Sequence, residues 1–193
     1  MKTTNKKTET MVLGAVMTAL VVVFQLLATF TAIFGPFSTA IALIPIVIGA
    51  AICGPLMGGW LGFVFGVVVL ASGGANLFLA FDVFGTFATV LVKGIACGLA
   101  AGFAYKLFAK INRYVAVFAA ALVCPVVNTG VFMLGSVLFF LDSVSEIAAA
   151  IGSTGTGIGV FWAMAMGNFI FEVGMNLVLS PVIVRLLDLR KKH

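Results

Sequence analysis

Two ionisable side chains stand inside apolar sequence that would normally exclude them. Lys93 lies within LVKGIACGLAAGFAYKLF, and Glu172 within NFIFEVGMNLVLS. A charge at mid-membrane costs about 2.5–3.5 kcal/mol on insertion scales, so each needs a physical reason. Lys93 precedes Lys106 by 13 residues, and Glu172 precedes Arg185 by 13. At a helical rise of about 1.5 Å per residue, both sit roughly 20 Å above those basic residues. Two opposite charges at one depth could form a structural ion pair, or they could line a polar cavity in which Lys93 meets an anionic group of a ligand. The two readings are compatible, because a hydrated pair can open to admit a ligand.

Asn168, Glu172 and Asn176 follow one another at i, i+4 and i+8, which makes a polar stripe on one helix face. Asn128 lies roughly 22 Å above Arg113 by the same rise. Interhelical hydrogen bonding would account for any one of these asparagines. Together they describe a small polar pocket that opens outward, with Gln25 a further contributor if it does not reach the headgroups. Between the apolar stretches, Ser72–Phe84 holds Asn76, Phe78, Phe81 and Asp82, and Leu141–Gly159 carries IGSTGTGIG. Glycines there allow flexible backbone near a ligand, so these segments are either plain linkers or a lid. Phe81, Trp60 and Trp162 are available to stack on a ligand, although aromatic residues also gather at membrane interfaces without one.

The elements that position these residues follow from composition. Of 193 residues, 63% are hydrophobic and 9% charged, and no charged side chain occurs from Phe37 to Ala71. A water-soluble domain needs a polar shell that this chain cannot supply, so its solvent is mostly lipid. In lipid the backbone must satisfy its own hydrogen bonds, and the apolar runs lack the alternation of barrel strands. The expectation is an all-α integral membrane protein, a single membrane domain over residues 1–193. A span needs roughly 20 apolar residues, which gives about six: Met11–Ala32, Ser38–Cys53, Leu56–Ala71, Phe84–Phe108, Tyr114–Phe140 and Gly159–Leu187. The second and third are short, and a re-entrant hairpin is the competing reading for them.

Charge sets the orientation. Lys2, Lys6 and Lys7 precede the first span, Lys106, Lys110 and Arg113 lie between the fourth and fifth, and Arg185, Arg190, Lys191 and Lys192 follow the sixth. The opposite loops carry only Asp82, Asp142 and Glu146. The positive-inside rule then places both termini and the 106–113 loop on the cytoplasmic side, and the expected location is a bacterial cytoplasmic membrane. The net charge of +5 reflects this orientation and anionic headgroups and gives no reason to invoke nucleic acid. The N-terminal MKTTNKKTET is too polar for the apolar region of a signal peptide, so the first span is expected to stay in place.

Several chemistries find no support. There is no G-x-x-x-x-G-K-[ST] loop for ATP. The one histidine is His193, and Cys53, Cys97 and Cys124 are widely spaced, so no metal or cofactor is expected. A membrane-embedded enzyme would need clustered Asp, metal-binding His or an activated nucleophile. The remaining alternative is a stand-alone small-solute carrier or channel with Lys93 and Glu172 as a proton relay. Small residues at Ala15 and Ala19, at Gly58, Gly59, Gly62 and Gly66, and at Gly94, Gly98 and Gly102 permit close helix approach, either within the bundle or against a partner.

In its roughly six spans within 193 residues, its Ala15-xxx-Ala19 pattern and the stretches LIPIVIGAAICGPLMGGWLGFVFG, LVKGIACGLAAGFAYKLF and PVVNTGVFMLG, the chain resembles the S components of energy-coupling factor (ECF) transporters. The resemblance covers nearly the whole chain. It implies a membrane subunit that binds a vitamin near the outer surface, between the fourth, fifth and sixth helices and under the outer loops. It also implies that the Ala15 and Ala19 face docks on a transmembrane scaffold subunit coupled to two ATPase subunits, whose ATP cycle topples the S component toward the cytoplasm. On that basis Asn76, Phe81, Lys93, Asn128, Asn168 and Glu172 are the candidate substrate-binding residues. The stretch around Asn128 is most similar to pantothenate-type members, with riboflavin and folate as the next candidates.

Overall fold

The computed structural model describes residues 6–31 and 40–191, and within them the chain is helical with no strand. The helices are α1 (Lys6–Thr31), α2 (Ala40–Cys53), α3 (Pro55–Ala71), α4 (Asn76–Leu79), α5 (Val83–Phe108), α6 (Arg113–Phe139), α7 (Val144–Ala150) and α8 (Ile158–Lys191). Their order matches the expected spans. Two short helices, α4 and α7, occupy segments expected to be loops, and the first residues of the expected second span, Ser38 and Thr39, fall outside the described residues.

Among the described residues, four helices are by length and composition able to cross a membrane: Thr8–Phe30, Val83–Phe108, Arg113–Phe139 and Ile158–Arg185. The other two of the six expected spans are the short apolar helices α2 and α3, of 14 and 17 residues. Their separation has a local cause. Gly54 adopts φ +96°, a conformation open to glycine, and Pro55 opens α3, so the long apolar run divides at Gly54-Pro55. α2 is apolar all round, and accordingly it is buried inside the bundle: Leu43, Ile46, Val47 and Ala50 are at most 1% exposed. Large apolar side chains cover the outer surface instead, among them Leu56, Phe84, Leu138 and Val178. Such a surface suits lipid and not water.

The tightest packing joins α3 to α5. A Cβ added to Gly62 would collide with the Gly94 carbonyl, one on Gly58 with the Gly98 carbonyl, and one on Gly102 with Pro55. The two backbones therefore lie in contact along a glycine seam, as the small-residue spacing allowed. This seam fixes the rotation of α5 and hence the direction in which Lys93, the neighbour of Gly94, projects. Asp82 starts α5, its Oδ1 accepting from the Gly85 N–H at 3.0 Å, and Asn112 starts α6 by accepting from the Tyr114 N–H at 2.8 Å.

Among the described residues, two separate hydrophobic clusters result. The larger runs through α2, α3, α5 and α6 and includes Leu43, Phe65, Cys97 and Cys124. The smaller gathers Phe140, Ile147 and Phe161 with Leu77, Phe78, Phe81 and Met164, and so ties α4 and α7 to the start of α8. The polar cavity lies between them.

Candidate ligand-binding site

Lys93 of α5, Asn128 and Thr129 of α6, and Asn168 and Glu172 of α8 line one cavity of about 250 Å³. Leu77 and Phe78 of α4 close it on one side, and Phe132 and Met164 complete the apolar wall. The residues come from three helices because each carries its polar group at a similar depth, the feature legible from residue counting.

The Lys93 ammonium lies 5.6 Å from the Phe132 ring centroid and 5.9 Å from that of Phe65. Ring faces attract a cation electrostatically, and the attraction strengthens where water is scarce. Lys93 is thereby held over aromatic faces while remaining on the cavity wall. Glu172 is 2% exposed, and its carboxylate accepts from Asn128 Nδ2 at 3.3 Å and 3.5 Å. A carboxylate only accepts, so the Asn128 amide must turn its N–H₂ toward it. That leaves Asn128 Oδ1 buried with no partner among the described residues. A buried acceptor left unpaired costs about 1–3 kcal/mol, which a ligand donor at this point would recover. The cavity thus carries a cation, an anion and asparagine amides within apolar walls, the composition of a small-molecule site.

Four of the six candidate residues meet here: Lys93, Asn128, Asn168 and Glu172. Asn76 and Phe81 do not line the cavity. In the single turn of α4, Leu77 and Phe78 point inward, which leaves Asn76 exposed at the start of the turn. Phe81, past the end of α4, packs into the smaller hydrophobic cluster. Asn176 also falls outside: fully buried, it donates to its own helix at the Glu172 carbonyl (2.8 Å), and Ser180 does the same to the Asn176 carbonyl (2.8 Å). Gln25 is buried away from the cavity and donates to Thr29 Oγ1 at 3.3 Å. Trp60 and Trp162 are about half exposed; neither lines the cavity, and Trp60 Nε1 donates to Thr18 Oγ1 at 3.3 Å. Sequence reading missed Phe132, Thr129 and Met164 as wall residues, since nothing distinguishes them from ordinary span residues.

The other expected surface is on α1, where Ala15 and Ala19 are both exposed. Val12, Val16 and Val23 continue the exposed apolar stripe on either side.

The geometry defines an all-helical membrane protein that encloses a polar cavity beneath a short helical cover. The family described as ECF transporter, substrate-specific component, matches residues 9–184, and the chain belongs to it. No curated protein and no solved structure gives a match to the chain.

Proposed function

We propose that this chain is the vitamin-binding subunit of an ECF-type importer, with both termini cytoplasmic, and that its substrate is a compact anionic vitamin of the pantothenate type. The observation that carries this reading is the convergence of Lys93, Asn128, Asn168 and Glu172 on one cavity. A volume of about 250 Å³ lies below the usual range of about 300–1,000 Å³ for small-molecule sites, which favours a compact ligand over a flavin or pterin. Lys93 supplies attraction for an anion, and the amides of Asn128 and Asn168 suit a ligand with amide and hydroxyl groups. The chain has no motif for using ATP, so in this reading it is not an enzyme and ATP hydrolysis belongs to two separate ATPase subunits. These act through a transmembrane scaffold subunit seated on the Ala15 and Ala19 face.

Uptake into proteoliposomes tests the proposal. With the protein alone, labelled pantothenate should bind but not accumulate; with a scaffold and ATPases supplied, it should accumulate in an ATP-dependent manner. Concentrative uptake by the protein alone would instead favour the stand-alone carrier.

A further inference from the structure

A smaller chamber of about 60 Å³ adjoins the main cavity, walled by Thr86, Thr89 and Val90 of α5 together with Ala75 and Phe140. Val69, Gly74, Phe78, Lys93 and Phe132 line both spaces, so the chamber and the cavity adjoin at the Lys93 side chain. Its volume holds a few water molecules or one carboxylate, and is too small for a ring.

The hydroxyls in it are not equivalent. Thr86 Oγ1 donates to the Asp82 carbonyl at 2.6 Å, so its hydrogen is committed and its oxygen can only accept. Thr89 is 5% exposed, and its hydroxyl has no partner among the described residues. It fits against α6 because residue 135 is glycine: a Cβ there would collide with the Thr89 side chain. Thr89 is therefore a buried donor without an acceptor, beside a lysine.

The two spaces differ in charge. The main cavity is lined by the Glu172 carboxylate and by Asn128, whose Oδ1 is an unpaired acceptor. An anionic group placed there meets a like charge and a second acceptor. The side chamber is lined by no carboxylate, and Lys93 and Thr89 stand in its wall. A ligand that is anionic at one end and rich in donors at the other has one favourable orientation across the two spaces.

We infer that the Thr86–Thr89 chamber is the subsite for the substrate's carboxylate, with the donor-bearing remainder of the molecule lying against Asn128 and Glu172. The inference rests on the vitamin-binding reading above and deepens it, assigning Thr89 and Lys93 to the acid group and Asn128 to the opposite end.

Titration calorimetry in lipid nanodiscs tests it, with wild type, Thr89→Val and Thr89→Ser. The probes are three carboxylates (pantothenate, biotin and nicotinate) and their uncharged counterparts (panthenol, biotinamide and nicotinamide). At least one carboxylate should bind, and more tightly than its uncharged counterpart. Thr89→Val should weaken that carboxylate about tenfold, the scale of a lost hydrogen bond to a charged group, and the uncharged form, whose neutral oxygen accepts more weakly, clearly less. Thr89→Ser should restore it. If valine prevents folding, Thr89→Ala against Thr89→Ser makes the same comparison. The inference is overturned if Thr89→Val weakens both forms equally or neither. It is also overturned if the protein binds only uncharged or cationic vitamins such as riboflavin or thiamin, an outcome that leaves the vitamin-binding reading standing. Absence of binding by any vitamin would remove both.

Discussion

Asn128 on α6 donates through Nδ2 to the Glu172 carboxylate on α8 at 3.3 Å, and this contact joins two walls of the cavity. Because it commits the amide nitrogen, it turns Asn128 Oδ1 into the unsatisfied acceptor. Replacing Asn128 with Asp would set two carboxylates against each other in a buried site, which is strongly unfavourable. Asn128→Asp should lower the melting temperature markedly, and adding Glu172→Gln should recover much of the loss. A double-mutant cycle on thermal unfolding should return a coupling of about 1–3 kcal/mol; additive effects would mean that the contact contributes little.

Lys93 and Glu172 share the cavity, and the two roles open to them give different signatures. If Lys93 serves an anionic ligand, Lys93→Met should weaken pantothenate binding at least tenfold with modest loss of stability, about 1.4 kcal/mol per decade of affinity. Glu172→Gln should then leave affinity equal or improved, since a competing anion is removed. A structural pair predicts instead that each single change lowers the melting temperature and that the double change recovers part of it. Calorimetry beside thermal melts separates the two.

The glycine seam between α3 and α5 should not tolerate a methyl group. Gly62→Ala drives a Cβ into the Gly94 carbonyl, and backbone cannot yield as a flexible side chain can. The expected cost is about 1–3 kcal/mol of stability. Ligand affinity should fall as well, because α5 would shift Lys93 with it. Gly130→Ala is the control, since an added Cβ there meets nothing within 4 Å. Equal melting temperatures for both variants would mean that the seam is not tightly packed.

On α1, Ala15→Trp or Ala19→Trp should abolish uptake by the assembled importer while leaving the affinity of the isolated protein unchanged. Both positions are exposed and lie outside the cavity lining, so bulk there blocks a partner's approach and not the ligand's. A fall in affinity would show that the docking face had been assigned to the wrong residues.

Much of the site was legible because lipid makes polar residues costly. Lys93, Asn128, Asn168 and Glu172 stood out against apolar sequence, and residue counting alone placed them at comparable depth. Asn176 and Gln25 stand out equally in the sequence but do not line the cavity, because a polar side chain can also bond within its own helix, as Asn176 does to the Glu172 carbonyl. Threonines conceal themselves in the same way: Thr86 does bond back to its helix and Thr89 does not, a difference with no sequence signal. Phe78 and Phe81 are alike in the sequence. Both pack into the smaller cluster, and only Phe78, within the turn of α4, also lines the cavity. The break between the second and third expected spans was legible too, because glycine and proline mark it in the sequence and the backbone divides there.

Native mass spectrometry of the purified protein, released from detergent with its bound contents, tests the central claim most directly. The account predicts a single small-molecule adduct on the wild type, identifiable as a carboxylate vitamin, present at about one per chain and lost in Lys93→Met. An adduct retained unchanged in Lys93→Met and in Asn128→Leu would contradict it, because the ligand would then lie outside the cavity those two residues line.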